Sequence, residues 1–94
     1  MTKADIVNEV ASSTGLTRAE AEAAVGATLD AITGGLKKGE NVEFRGFGTF
    51  KVQHRAARTA RNPRTNEELT VPARYVPSFK VSDKLKKEVD GSLS

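Results

Sequence analysis

The chain contains no cysteine, which excludes both a disulfide framework and a thiolate metal site. Its one histidine is His54, and no pair of carboxylates stands in a recognisable catalytic motif. Gly46 and Gly48 flank a strand turn with no Gly-Lys-Ser/Thr string after them, so a phosphate-cradling nucleotide loop is missing. These gaps argue against an enzyme, and no cofactor or metal is implied. No apolar run is long enough to cross a membrane, and no signal peptide is recognisable. The reading is therefore a cytoplasmic protein with no membrane partner. Proline is scarce, at Pro63, Pro72 and Pro77 only.

What is present is positive charge, unevenly spread. The net charge is +3. Residues 1–50 hold five Lys/Arg against seven Asp/Glu, and residues 51–94 hold ten against five. The second half alone thus carries a surplus of five cations, which points to a polyanionic partner, although a merely solvated basic face would account for the net charge as well. The densest stretch runs from Lys51 to Arg64 without an acid, with arginine every third residue at Arg55, Arg58, Arg61 and Arg64. Ala56, Ala57, Thr59 and Ala60 lie between them, so this segment has almost nothing to bury.

Two helices are expected first. Ile6, Val7, Val10 and Ala11 form an apolar stripe over about Lys3 to Thr14, and Gly15 follows where a left-handed cap is wanted. Thr17 and Glu20 form a capping box for the second helix. Its stripe runs through Ala21, Ala24, Val25, Thr28, Leu29, Ile32 and Leu36 to a stop at Gly39. A second row, Ala19, Ala23, Ala27 and Ala31, suggests a helix with more than one neighbour, although alanine's plain helix propensity explains it too. Gly34-Gly35 predicts fraying or a close approach by another backbone.

Strands come next. Val42 and Phe44 alternate within Asn41–Arg45, Gly46-Phe47-Gly48 turns the chain, and Thr49–Gln53 returns it with Phe50 and Val52 inward. Phe47 and Phe50 are expected in a core between sheet and helices. Leu69–Val76 is again rich in strand formers, with Pro72 and Pro77 confining it to edges and ends. Phe79 rejoins the core. Ser82 caps a last helix over about Asp83–Val89, and residues 90–94 read as a loose tail.

Between the strand signals lies Asn62-Pro63-Arg64-Thr65-Asn66, so residues of about 53–75 read as a two-stranded arm. Proline sets the first corner of the turn, and Asn66 tolerates a left-handed backbone. Ten residues from Gln53 to Asn62 give a reach of ~30 Å at roughly 3.3 Å each. With the arm projecting, only about 70 residues remain for a core, and a chain of that size is marginal alone. Oligomerisation is one remedy. The thin, arginine-bearing ribbon suits a minor groove ~6 Å wide, and a proline at its tip can wedge into a base step. His54, at the root of the arm, is a surface or phosphate-near residue rather than a catalyst.

The strings RGFGTF (Arg45–Phe50), RAARTARNPRTNEE (Arg55–Glu68) and VPSFK (Val76–Lys80) are similar to the bacterial histone-like family of HU and integration host factor. The likeness runs from Thr2 to about Val89. It implies an α+β fold: an intertwined dimer with a helical base, a small antiparallel sheet and extended β-ribbon arms. It implies an architectural, nucleoid-associated protein that bends and compacts double-stranded DNA, favouring bent, nicked or gapped forms. Pro63 resembles the intercalating residue. Arg55, Arg58, Arg61, Asn62 and Arg64 resemble the arm's groove and backbone contacts, with Arg45, Lys51, Gln53 and Arg74 near its root. Lys3, Lys80, Lys84 and Lys86 resemble a basic body holding the flanking DNA.

Ala60 and Asn66 stand where the family usually has glycine, and Val81-Ser82-Asp83 replaces a common Pro-Gly-Lys. Asp83 suits the start of a helix but puts an acid beside the expected phosphates. Arg45 and Tyr75-Val76-Pro77 look more like an integration host factor subunit, which prefers particular sites and pairs with a different chain. The alanine-rich second helix and the evenly basic arm look more like HU, a homodimer without strong sequence preference. An arm that binds RNA or an acidic protein is the reading from another class.

Overall fold

The computed structural model describes residues 1–94. Helix α1 spans Lys3–Thr14 and α2 spans Arg18–Lys37. The Asp5 carboxylate accepts a hydrogen bond from the Thr2 backbone N–H at 2.8 Å, which fixes the start of α1. Gly15 closes it at φ 75°, and its N–H donates to the Ala11 carbonyl at 3.0 Å. In α2 the capping box is reciprocal. The Glu20 N–H donates to Thr17 Oγ1 at 3.1 Å, and the Thr17 N–H donates to Glu20 Oε1 at 3.0 Å. These bonds from Thr17 hold the Glu20 carboxyl below its ordinary pKa. Gly39 ends the helix at φ 77°. The Gly34-Gly35 pair neither frays the helix nor admits a backbone. Instead a Cβ on Gly35 would stand 3.1 Å from Val42 Cγ2, so the glycine lets a strand side chain, not a main chain, press against α2.

Strands β1 (Val42–Phe44), β2 (Gly48–Arg55) and β5 (Arg74–Val81) form an antiparallel sheet in the order β1-β2-β5. A turn with Gly46 at φ 79° joins the first two, closed by the Phe47 N–H donating to the Phe44 carbonyl at 2.9 Å. One sheet face gathers the aromatics. Phe50 lies opposite Phe79, with ring centroids 4.8 Å apart, and Phe47 approaches Phe79 at 5.4 Å. Gly48 is buried beneath this cluster. A Cβ there would fall 2.6 Å from the Lys80 carbonyl oxygen and on top of the Phe79 ring.

Beyond the sheet, β3 (Arg58–Arg61) pairs with β4 (Glu68–Val71) as a separate ribbon. The single strand expected over Leu69–Val76 is thus two strands, because Pro72 offers no N–H to a ladder. Pro77, in contrast, sits inside β5 opposite Val52 without breaking the pairing. Helix α3 also departs from expectation. It covers Asp83–Leu93 rather than stopping near Val89, and the Ser94 N–H donates to the Asp90 carbonyl at 3.0 Å. Leu85, Val89 and Leu93 recur every fourth residue, and that stripe carries the helix through Gly91.

The molecule measures 57 × 35 × 27 Å, with a radius of gyration of 18.9 Å. A compact domain of this length would have about 12 Å. Only three of 94 residues are buried, among them Val7 and Ala21. Phe47 remains 49% exposed, Phe79 42% and Leu29 48%, so the phenylalanine cluster expected as a core is covered on one side only. The alanine row of α2, from Ala19 to Ala31, is exposed.

Adding a methyl group at Gly48 must displace backbone or the Phe79 ring. Gly48→Ala is expected to lose about 1–3 kcal/mol, the usual cost of overpacking, read as a lower urea midpoint at unchanged slope.

Candidate nucleic-acid interface

Side chains alternate between sheet faces along a strand, and residues directly opposite share a face. The β2–β5 register pairs Phe50 with Phe79 and Val52 with Pro77 on one side. The intervening residues turn the other way: Lys51 opposite Ser78, Gln53 opposite Val76, Arg55 opposite Arg74, and Thr49 opposite Lys80. The fold therefore separates an aromatic face from a polar one. Lys51, Gln53, Arg55, Arg74 and Lys80 fall together on the polar one. Within it, Arg55 Nη2 donates to Gln53 Oε1 at 2.8 Å, which orients the guanidinium. His54 lies on the aromatic face, its ring 5.1 Å from that of Tyr75.

An open cleft of about 380 Å³ runs from this face to the Gly46 turn, lined by Arg45, Lys51 and Lys80 but also by Glu43 and Asp83. Asp83 thus shares this cleft with three of the expected cations. The aliphatic stem of Lys84 crosses Gly46, with Cδ 3.6 Å from where a Cβ would be. Lys86 is not brought to this place. Two positions further along a helix is about 200° around it, and Lys86 borders the groove lined by Val81, Leu85, Val89 and Leu93 instead. Lys87, three residues after Lys84, shares its face. The spacing in the sequence carried that signal, but Lys87 is absent from the expected set. Lys3 extends over α2, its Nζ 3.8 Å from a Cβ position on Gly26.

The ribbon continues the register of the sheet. Arg55 pairs with Arg74, and the next pair formed is Arg58 with Val71. Ala56-Ala57 and Pro72-Ala73 face one another between them, unpaired on both sides. Within the ribbon, Arg58 and Arg61 point to opposite faces, because a three-residue spacing falls out of step with a two-residue period. Arg61 Nη2 lies 3.6 Å from Glu68 Oε1, with both side chains well exposed. A pair of this kind contributes about 0–1 kcal/mol and yields readily to a stronger anion.

The tip is a built turn. The Asn66 N–H donates to the Asn62 carbonyl at 2.8 Å, the Asn62 N–H donates to the Glu67 carbonyl at 2.9 Å, and Asn66 takes φ 61°. The Arg64 N–H donates to Asn62 Oδ1 at 2.9 Å. Asn62, expected as a DNA contact, thus already uses its carbonyl oxygen to shape the turn. Pro63 is exposed at its end. No group of three His, Asp or Glu side chains is placed to hold a metal ion, and no helix is long and apolar enough to cross a membrane.

A helix-backed sheet with one basic face, drawn out into a thin ribbon, defines a body-and-arm nucleic-acid binder. The family model described as Bacterial DNA-binding protein matches residues 1–90, and the chain belongs to that family. It is 51% identical over 88 residues to DNA-binding protein HU of Haemophilus influenzae, covering 94% of this chain and 97% of that protein. It is 47% identical over 89 residues to DNA-binding protein HU of Geobacillus stearothermophilus, covering 95% and 99%. Among solved structures, the Anabaena HU–DNA cocrystal structure superposes with a TM-score of 0.87 at 36% identity, over 95% of this chain and 97% of that one.

The placement of the α3 lysines has a measurable consequence on duplex DNA. Each phosphate contact contributes roughly −0.9 to the log–log slope of affinity against salt. Lys84→Ala with Lys87→Ala is expected to flatten that slope by one to two such units, and Lys86→Ala to leave it nearly unchanged. Equal flattening by all three would mean that the whole helix, not one face, lies against phosphate.

Proposed function

We infer that this chain is an architectural, histone-like DNA-binding protein that works by binding and bending rather than by catalysis. The observation that carries the reading is the sorting of side chains across the β2–β5 ladder. The cations gather on one face, and that face leads without change of register into an arm ending in an exposed proline. The arm's small residues, Ala56, Ala57, Thr59 and Ala60, leave it thin enough for a minor groove. Arginines on both of its faces meet both groove walls at once. Pro63 enters a base step and unstacks it, while Lys51, Arg55, Arg74, Lys80 and Lys84 take the phosphates flanking the kink. Because these contacts are to backbone and groove, binding is largely independent of sequence, and the protein acts on the bacterial nucleoid.

A second copy of the chain completes the core. The half-exposed Phe44, Phe47, Phe79, Leu29 and Val89 support this, since a single chain leaves them in water. At about 25 cal/mol per Å², covering them stabilises both copies. Two arms then embrace one duplex. The unfolding midpoint should accordingly rise with protein concentration. A midpoint independent of concentration, with a monomeric mass in solution, would remove the dimer from this account.

The wedge is tested by comparing intact with nicked DNA. Unstacking a base step costs a few kcal/mol, and a nick has already lost part of that stacking. Pro63→Ala should reduce bending of intact duplex most and binding to nicked duplex least, whereas Arg58→Ala and Arg61→Ala should weaken both. If the proline only shapes the turn, its loss disorders the tip and both substrates suffer alike. Gel-shift affinity and bend angle on the two duplexes separate these outcomes.

A further inference from the structure

The polar face of the sheet is not uniformly basic. Its half toward the arm carries Gln53, Arg55 and Arg74, and no carboxylate lines the concavity at that end. The half toward the Gly46 turn is mixed. Glu43 lies opposite Thr49, and Thr49 opposite Lys80, so an acid and a cation share one row across three strands. Asp83, the first residue of α3, lines the same cleft. Both carboxylates are exposed. Neither is taken up by a cation, since the ion pair of the chain is Arg61–Glu68, out on the arm. Arg45, Lys51 and Lys80 therefore stand among two acids that remain free to repel a phosphate.

We propose that Asp83, seconded by Glu43, is a specificity-determining residue: it limits how much duplex the body holds beyond the arm. This role rests on the DNA-binding reading above and sets a boundary to it. A phosphate that reaches the cleft meets repulsion as well as attraction, so DNA flanking the arm is held weakly and over a short length. The effect is local. The Debye length is about 10 Å at 0.1 M salt, so an exposed carboxylate acts on the phosphates over its own cleft and not on those along the ribbon. The arm and Pro63 grip at full strength while the flanks detach, which favours a short site defined by the arm over a long wrap around the body. An acid at the start of a helix also suits the helix dipole. If that is all Asp83 does, its charge has no bearing on the length of DNA bound.

The test compares the full chain and its variants by gel shift on duplexes of about 12 and about 36 base pairs. At 3.4 Å per base pair these measure about 40 and about 120 Å, against a longest dimension of 57 Å for the chain, so the longer one reaches past the arm and across the body. Relative to the native chain, Asp83→Asn should raise affinity for the long duplex by about three- to fivefold, the upper range for an exposed charge pair. Its salt slope should steepen by up to roughly 0.9, one further phosphate contact. On the short duplex both quantities should stay at their native values. Asp83→Glu keeps the charge and should behave as the native chain. Asp90→Asn makes the same charge change two helical turns further on, beside the groove of Val81, Leu85 and Val89, and should leave the ratio of long to short affinities unchanged. Glu43→Gln carries the test if Asp83→Asn does not fold. Equal gains on both duplexes, or an equal gain from Asp90→Asn, would reveal a general field and overturn the role. No gain at all would also overturn it and leave Asp83 to the helix dipole. A native chain that retards neither duplex would instead refute the DNA-binding reading, and this role with it.

Discussion

The antiparallel pairing of Gly48–Arg55 with Arg74–Val81 is the constraint on which the other features depend. Its register decides which side chains look toward the helices and which look away, and a slip of one residue would exchange the two sets. Gly48 anchors that register from one end. Only a residue without Cβ fits between the Phe79 ring and the Lys80 carbonyl, so β2 is held against β5 at a single alignment. From there the alternation places Phe50 against Phe79 and sends Lys51, Gln53 and Arg55 outward. The arm inherits the same alignment across its gap, so the position of the tip relative to the basic face is set about fifty ångströms away, at a glycine (roughly 3.3 Å per residue).

The parts of this fold that were legible in the sequence are the local ones. The Thr17–Glu20 box, the Gly15 and Gly39 stops and the left-handed Asn66 depend on neighbours within a few positions, and a string of residues shows them directly. The resemblance of RGFGTF and RNP to a known family supplied the arrangement of body and arm. What the string does not show is pairing between distant segments. The arginine run reads as one basic stripe, yet the ribbon puts Arg58 and Arg61 on opposite faces. Lys84 and Lys86 read as a pair, yet helical geometry separates them and joins Lys84 to Lys87. The Arg55–Arg74 rung is invisible until the register is known, because the two residues are nineteen positions apart. Gly34-Gly35 suggested fraying or a neighbouring backbone, and neither occurs; the Val42 side chain that meets Gly35 instead required the fold. The Leu85, Val89, Leu93 spacing was present in the sequence, yet residues 90–94 read as a loose tail, and the helix runs on to Leu93.

The same separation of local from distant explains the thin core. All three helices are capped and every strand has a partner, so each element is largely satisfied along its own backbone. The apolar faces they present to one another are not covered to the same degree, and Val7 and Ala21 are the apolar side chains that disappear from solvent. Local order thus exceeds tertiary order in the single chain. The arm is the extreme case, with its backbone bonds made and almost no side-chain burial to support them.

Pro77 has a consequence for how copies of this chain can meet. Strand β5 is the outer strand of the three-stranded sheet, and an outer strand of eight residues is a template on which a neighbour's strand can add. The pairing with β2 runs unbroken past Val52–Pro77, so the donor that proline lacks is missing from the outer side. Its ring stands in the path of an incoming strand. On the opposite margin β1 is only three residues long. Growth of the sheet sideways into a fibril is hindered at both margins, so the half-exposed apolar faces, and not the strand edges, are where the molecule is open to contact.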